Sequence, residues 1–449
     1  MTSFPQHVDA LVAEIGSTTT VVSAFDGLTC DGREPRLLGQ GFAPTSVLQG
    51  DVGVGVAAAR ASLEAITGPL APGVALATSS AAGGLRMTVH GLTQKMTAMA
   101  AREAALGAGG VVEHVTSGRL RDADLRRIDE IGPGLLLLAG GVEGGDVDTI
   151  LFNAERLGEL ESRPIVVYAG NSLVASEARE LLERAGFRVR VTANVYPGID
   201  ELDIVPARAV IHDAFEEHIT HAPGMERIGE FVSGRILPTP GAVLIAAELL
   251  AEAVGDLVVV DVGGATTDVH SVTDGSPEMA ALATEPEPHS KRTVEGDLGV
   301  FVSARHVAAL LPEADRPATL PPAIPTTPED LAAAALLART AAVVGVQRHA
   351  GELLQLYTPR GRQTVARGRD LTACRLLIGT GGALTRLSGG IEMLEATRAG
   401  AAGCSDKLLP PADARCVLDR SYLLAACGAL STHFPPEAVV ALMRASCGI

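Results

Sequence analysis

The sequence predicts an α/β protein of two related lobes with an inserted doubly wound α/β subdomain, and three observations predict it. A strand, a glycine-rich turn and a second strand open the chain in ALVAEIGSTTTVVSAF (10 to 25), and the arrangement returns about 250 residues later in DLVVVDVGGATTDVHSV (256 to 272). Between the two copies, residues 110 to 195 alternate short apolar strands with helices, the pattern of a parallel sheet covered on both faces. A third glycine-rich turn, in RLLIGTGGALTRL (375 to 387), follows another buried strand.

In chain order, strand is expected near 36 to 42, helix at 53 to 66, a buried strand at 74 to 79 and a helix over 93 to 106, where apolar residues make a helical stripe. The regular stretch then reads VVEHVTSG, helix 121 to 130, LLLLAG, helix 146 to 160, IVVYAG, helix 172 to 186 and VRVTAN. Thr239-Pro240 opens a helix at 240 to 254, Thr239 as cap and Pro240 in the first turn. Six prolines between 312 and 328 exclude regular structure there. Thr327 caps a helix with Pro328, Glu329 and Asp330 in its first turn, expected to run to about Tyr357. These elements divide the chain into a first lobe (1–109), an inserted subdomain (110–198), a connecting region (199–255) and a second lobe (256–449).

Of the 449 residues, 36 are Lys or Arg against 53 Asp or Glu, a net charge of −17 that repels nucleic-acid backbones and anionic lipid. With no Trp, 4 Tyr and 9 Phe, platforms for stacking single-stranded bases are scarce. An anionic ligand therefore depends on backbone amides and metal. The start, MTSFPQHVDALVAE, lacks the basic and apolar segments of a signal peptide, so a cytoplasmic location is expected. The uncharged stretch Ala65 to Leu85 is broken by Gly68, Pro69, Pro72 and Gly73 and is not read as a membrane helix. Cys30, Cys374, Cys404, Cys416, Cys427 and Cys447 show no metal spacing and are read as structural thiols.

Both hairpin turns carry what phosphate binding requires: an acid at the end of a buried strand, glycine where backbone approaches an anion, and hydroxyls beside amides. The acids, Glu14 and Asp261, repel phosphate and would instead hold magnesium, mostly through water. The third turn presents a surface free of side chains, suited to a base and ribose. Other patterns are weaker. AGGVEGGD (139 to 146) reads as a turn capped by its own Asp146, and GVGVAA from Gly53 follows no clear strand. His212, His218 and His221, flanked by acids, read as a solvated helix face rather than a metal site.

EIGSTTT, DVGGATTD and LIGTGGAL resemble the first phosphate, second phosphate and adenosine motifs of the actin, sugar kinase and DnaK-type chaperone superfamily. Within it, SSAAGGLRMTVHGLT (79 to 93), AGGVEGGD, YAGN (168 to 171), VDVGGATTDVHSV and KRTVEGDLGV (291 to 300) resemble the MutL or GlmL family, associated with adenosylcobalamin-dependent glutamate mutase. The resemblance runs from about Val12 to the C-terminal helices, and its motifs are long and ordered. It implies a two-lobed actin-like, ribonuclease H-like ATPase that uses ATP and magnesium. It also implies a chaperone-like role: opening a mutase that holds damaged cobalamin so that fresh cofactor enters.

Carried over residue by residue, the resemblance places Gly16, Ser17, Thr18 and Thr19 on the first phosphate turn. Gly263, Gly264, Ala265, Thr266 and Thr267 form the second, and Gly379, Gly381 and Gly382 contact adenosine. Asp261 and Glu14 are the metal-side carboxylates. The superfamily usually has Asp where Glu14 stands, and the extra methylene disturbs octahedral magnesium geometry, which puts the rate of hydrolysis in question. Asp268 either orders metal and attacking water or holds its hairpin by hydrogen bonds. Glu295 and Asp297, before a helix expected at 299 to 311, serve either catalysis or a surface ion pair and a helix cap. Lys291 and Arg292 are either phosphate-side cations or solvated charges.

The leading expectation is thus an ATP-dependent reactivating protein for a cobalamin mutase, with the inserted subdomain as candidate partner contact. A small-molecule kinase of the same superfamily and a nucleotide-gated scaffold without turnover are the alternatives, and actin-like polymerisation is a structural rival. Radical dehydratase activators hold an iron-sulfur cluster through cysteines, which KRTVEGDLGV lacks.

Overall fold

A computed structural model of the chain describes residues 5–29, 32–81, 85–358, 361–400 and 406–449; Cys30, Gly83, Gly84 and Cys404 lie outside the described residues. The chain forms two units, Met1–Ala242 with Gly428–Val439 and Val243–Cys427 with Val440–Ile449. Its first half runs β1 (Gln6–Ile15), β2 (Thr19–Asp26), β3 (Arg36–Pro44), α1 (Val52–Thr67), β4 (Leu70–Ser79), β5 (Arg86–Gly91), α2 (Thr97–Gly107), β6 (Val111–Ser117) and α3 (Asp122–Ile131). There follow β7 (Leu135–Leu138), α4 (Asp148–Leu157), β8 (Ile165–Tyr168), α5 (Ala175–Arg184), β9 (Val189–Val191), α6 (Val205–Ile219), β10 (Ile236–Pro238) and α7 (Thr239–Val254). The second half continues β11 (Leu257–Val262), β12 (Thr267–Val272), α8 (Pro277–Ala280), β13 (Ser290–Glu295), α9 (Ala304–Ala309), α10 (Pro328–His349), β14 (Glu352–Thr358) and β15 (Gly361–Arg367). It closes with β16 (Leu376–Thr380), α11 (Gly382–Thr385), α12 (Gly390–Glu395), β17 (Arg415–Leu418), α13 (Leu424–Leu430) and α14 (Pro436–Cys447).

In the first unit one mixed sheet has the order β10-β4-β1-β2-β3. β1 pairs antiparallel with β2 and parallel with β4, and β4 pairs parallel with β10. β1 is buried on both faces from Ala10 to Ile15, which is why its sequence is an almost unbroken apolar run rather than an alternating one.

A second sheet of the same unit is wholly parallel, with the order β6-β5-β7-β8-β9. This is a doubly wound order. Its first strand, β5, precedes residue 110, where the insert was expected to begin. Leu135, Leu137, Ile165 and Val167 on one face share a core with Leu11, Ala13 and Ile15 of the mixed sheet. On the other face, Leu136, Leu138, Val166 and Tyr168 pack with Ile128, Ala154 and Leu182 from α3, α4 and α5.

In the second unit the mixed sheet has the order β13-β12-β11-β16-β17. β11 again pairs antiparallel with the strand that follows it and parallel with the strand on its other side. Numbering the strands of each mixed sheet in chain order gives 3-2-1-4-5 in both, the duplicated ribonuclease H-like arrangement of the actin-like fold. Helix α10 starts as expected, with the Thr327 hydroxyl accepting from the Asp330 amide at 3.1 Å, but ends at His349. The residues to Tyr357 turn into β14, which pairs with β15 from Glu352↔Arg367 to Thr358↔Gly361. Leu353, Leu354, Leu356 and Tyr357 serve a strand as well as a helix, so periodicity alone did not mark the break. Helix α9 likewise begins at Ala304, later than the expected 299. Among the described residues no helix is long and apolar enough to cross a membrane.

Candidate functional site

The first turn is a four-residue hairpin in which the Gly16 amide donates to the Thr19 carbonyl at 3.0 Å. Thr45 fastens it from β3's end, its amide donating to the Thr18 carbonyl at 2.9 Å and its hydroxyl to the Gly16 carbonyl at 2.9 Å. Among the described residues the amides of Ser17 and Thr18 have no hydrogen-bond partner, and both residues are exposed. Glu14, two residues back on β1, is buried.

The second turn repeats this design, with the Gly263 amide donating to the Thr266 carbonyl at 2.9 Å. Its carbonyls are held from behind: the Val300 amide donates to the Gly263 carbonyl at 3.1 Å, and the Phe301 and Val302 amides donate to the Gly264 carbonyl at 2.9 and 2.8 Å. The Thr267 hydroxyl donates to the Leu298 carbonyl at 2.8 Å. With carbonyls engaged behind, the amides of Gly264 and Ala265 are left without a partner among the described residues. A turn with paired carbonyls and free amides is an anion-binding concavity. The segment 298–303 was not assigned this supporting role from sequence; its signal was the run GDLGV directly after β13.

The third turn meets the second at Asp261. Asp261 pairs with Thr380 in the β11–β16 register, and Gly381 follows with φ +82°. A Cβ on Gly381 would stand 2.3 Å from Asp261 Oδ1 and 2.5 Å from the Val262 carbonyl oxygen, so only glycine fits there. Gly382 starts α11 with open space around its missing side chain. Gly379 does not share this surface: a Cβ there would meet Leu418, Leu394 and Leu384, which puts it inside the core. Sequence reasoning also missed Asp419, a buried carboxylate after β17 that accepts from the Thr380 hydroxyl at 3.1 Å and from the Leu423 and Leu424 amides. An acid just before the start of α13 was its sequence signal.

Asp268 faces inward. Its carboxylate accepts from Arg292 at 2.6 and 2.8 Å and from the Thr266 hydroxyl at 3.1 Å. Arg292 is 2% exposed, so it is neither a phosphate-side cation nor a solvated charge. Lys291 instead pairs with Glu287 at 2.7 Å. Glu295 and Asp297 share Arg348, at 2.6 and 2.7 Å, and the guanidinium holds the Asp297 carboxyl below its ordinary range. Asp297 caps no helix, because α9 starts seven residues later.

Of the three histidines read as a solvated face, His212 is buried, and burial lowers its pKa to about 4. Tyr168 donates to the Asn171 carbonyl at 2.7 Å, and the Asp146 carboxylate accepts from the Thr149 amide at 3.0 Å, so AGGVEGGD and YAGN close on internal bonds. Among the described residues no group of three or more His, Cys, Asp or Glu could hold a metal by itself. A magnesium ion fits the remaining donor set, because it binds through one or two carboxylates plus phosphate oxygens and water. Each unit by itself offers one such carboxylate beside partnerless amides, Glu14 in the first and Asp261 in the second.

A family model described as "MutL protein" matches residues 10–447. "Protein MutL" of Clostridium tetanomorphum is 38% identical over 394 residues, covering 81% of this chain and 84% of that protein. Among solved structures, the nucleotide-free acetone carboxylase of ATP-dependent acetone carboxylation aligns with 94% of this chain and 70% of its own, at 13% identity and a TM-score of 0.35. The ethanolamine utilization protein EutJ from Carboxydothermus hydrogenoformans aligns with 95% of this chain and 90% of its own, at 11% identity and a TM-score of 0.24.

Proposed function

The chain belongs to the MutL protein family, and from that premise we propose that it is an ATP-binding, ATP-hydrolysing reactivating factor for an adenosylcobalamin-dependent mutase such as glutamate mutase. The observation that supports this best is the second turn, where the carbonyls of Gly263 and Gly264 are pinned from behind and the amides of Gly264 and Ala265 are not. Those amides donate to phosphate oxygens, and the turn's fixed geometry removes the cost of arranging dipoles when charge builds on the transferring group. Asp261 would hold magnesium there, Gly381 leaves that carboxylate the room it occupies, and Gly382, with open space around it, would leave the neighbouring surface clear for adenosine. Bound magnesium supplies charge neutralisation for the phosphates.

Ser17 and Thr18 offer the same kind of amides in the first unit, with Glu14 as their carboxylate. Asp268 and Glu295 act by holding structure: one is fixed to Arg292 and the other to Arg348. The parallel sheet is the partner-contact element of this reading. Leu173 and Ile199, 70% and 75% exposed, lie on the loops after β8 and β9. The test is magnesium-dependent ATP binding by the purified chain, with Asp261→Ala as control. Loss of binding in a folded variant supports the reading, and wild-type protein that ignores ATP overturns it.

A further inference from the structure

Two hydroxyls in the first unit have no hydrogen-bond partner although both are buried: Thr78, 0% exposed, and Thr239, 8% exposed. Buried hydroxyls are nearly always paired, because leaving one dry forfeits its hydration with nothing in return. Both stand at one edge of the mixed sheet. The parallel registers Ile15↔Ser79 and Ser79↔Pro238 bring the C-terminal ends of β1, β4 and β10 level. From that edge the chain enters the Gly16–Thr19 turn after β1 and α7 after β10, while Thr78 is the last residue but one of β4.

The register Glu14↔Thr78 sets the carboxylate and the hydroxyl side by side on one face, on neighbouring strands about 4.8 Å apart. Thr239 is the first residue of α7, a 16-residue helix whose preceding residue, Pro238, has no side chain to cap it, and Pro240 contributes no amide. The edge therefore combines a positive helix end, two hydroxyls able to donate or accept, the amides of Ser17 and Thr18, and one carboxylate. A bare anion is repelled by Glu14. A phosphate accompanied by a hydrated divalent cation gives partners to both hydroxyls and to the amides of Ser17 and Thr18, and it tolerates a carboxylate beside it.

We propose that Thr78 and Thr239 are binding residues for a magnesium–phosphate ligand, their hydroxyls holding its water shell and phosphate oxygens beside Glu14 at this sheet edge. The inference rests on the nucleotide reading and extends it to two residues outside the recognised motifs. Its signature is a separation of stability from binding. A hydroxyl kept for the fold costs stability when removed, whereas one kept for a ligand costs none until the ligand is added.

The experiment measures melting temperature for wild type, Thr78→Val, Thr239→Val and Thr239→Ser, each without ligand, with ATP and magnesium, and with ATP and EDTA. Without ligand, both valine variants are expected to melt at or above the wild-type temperature. With ATP and magnesium they are expected to lose more than half of the wild-type shift, and Thr239→Ser to keep it. EDTA is expected to remove most of the shift in wild type. If wild type shifts with ATP and magnesium and both valine variants shift equally, or if they melt lower without ligand and keep the shift, the hydroxyls are structural and the inference fails. A wild-type shift indifferent to EDTA removes the cation from the proposal and overturns it. If wild type does not respond to ATP at all, the nucleotide reading itself fails, which is a separate result.

Discussion

At the residue scale the glycine-rich turn after β16 divides into positions with different tasks. Gly381 has φ +82° and abuts Asp261 Oδ1, so Gly381→Ala is expected to destabilise the second unit by about 2–4 kcal/mol and to abolish ATP binding. Gly382→Ala meets nothing within 4 Å and is expected to change stability by less than about 0.5 kcal/mol in urea unfolding. Equal effects at both positions would contradict this division. Asp268 makes a different case, because it is ion-paired with a buried arginine, Arg292, and substitution removes that pairing. Asp268→Asn is expected to cost about 3–5 kcal/mol of stability with or without nucleotide. A variant that melts normally but fails only in hydrolysis would return Asp268 to the chemistry.

At the element scale the parallel sheet cannot be treated as a detachable insert. Its face carrying Leu135, Leu137, Ile165 and Val167 belongs to the same core as the first mixed sheet, so a deletion starting at residue 110 would strip β5 and expose that core. Partner contact is better tested on the exposed loops. The double variant Leu173→Asp with Ile199→Asp is expected to keep its stability and ATP affinity and to lose at least about tenfold in mutase affinity, read by titration calorimetry. The elements legible in the sequence were those with a single physical signature. The apolar run before each glycine turn, the alternation over 110 to 195 and the Thr327 cap all lie where they were expected. The strand β5 was not legible, because RMTVHG carries no long apolar run and its place in the sheet is set by pairing with β6 and β7. In the candidate site, local turn chemistry marked both glycine-rich hairpin turns. The pairings Asp268–Arg292 and Glu295–Arg348 were not readable, since contacts across 24 and 53 residues leave no local pattern.

At the scale of the whole molecule, four buried histidines set its response to acid. Burial holds His90 and His270 down to about 3 and His212 to about 4, and it drives His349 well below its ordinary value. All four folded-state values are depressed below the unfolded value near 6.5, so the unfolded chain takes up protons that the folded chain refuses. Stability is therefore fully present above about pH 6.5 and lost as pH falls toward the folded values. His90 and His212 act in the first unit, His270 and His349 in the second, giving each a limiting slope of about 3 kcal/mol per pH unit between pH 6 and 4. Denaturant titrations across that range check it, and a flat profile would contradict it. The central claim, that these phosphate turns serve an ATPase coupled to a mutase, meets its most direct test in one assay. Magnesium-dependent ATP hydrolysis is measured for the chain alone and with a cobalamin mutase stalled by a cofactor analogue, with Asp261→Ala as control. The account predicts hydrolysis stimulated by the stalled mutase and absent in the variant; ATP bound without turnover, and no response to the mutase, would contradict it.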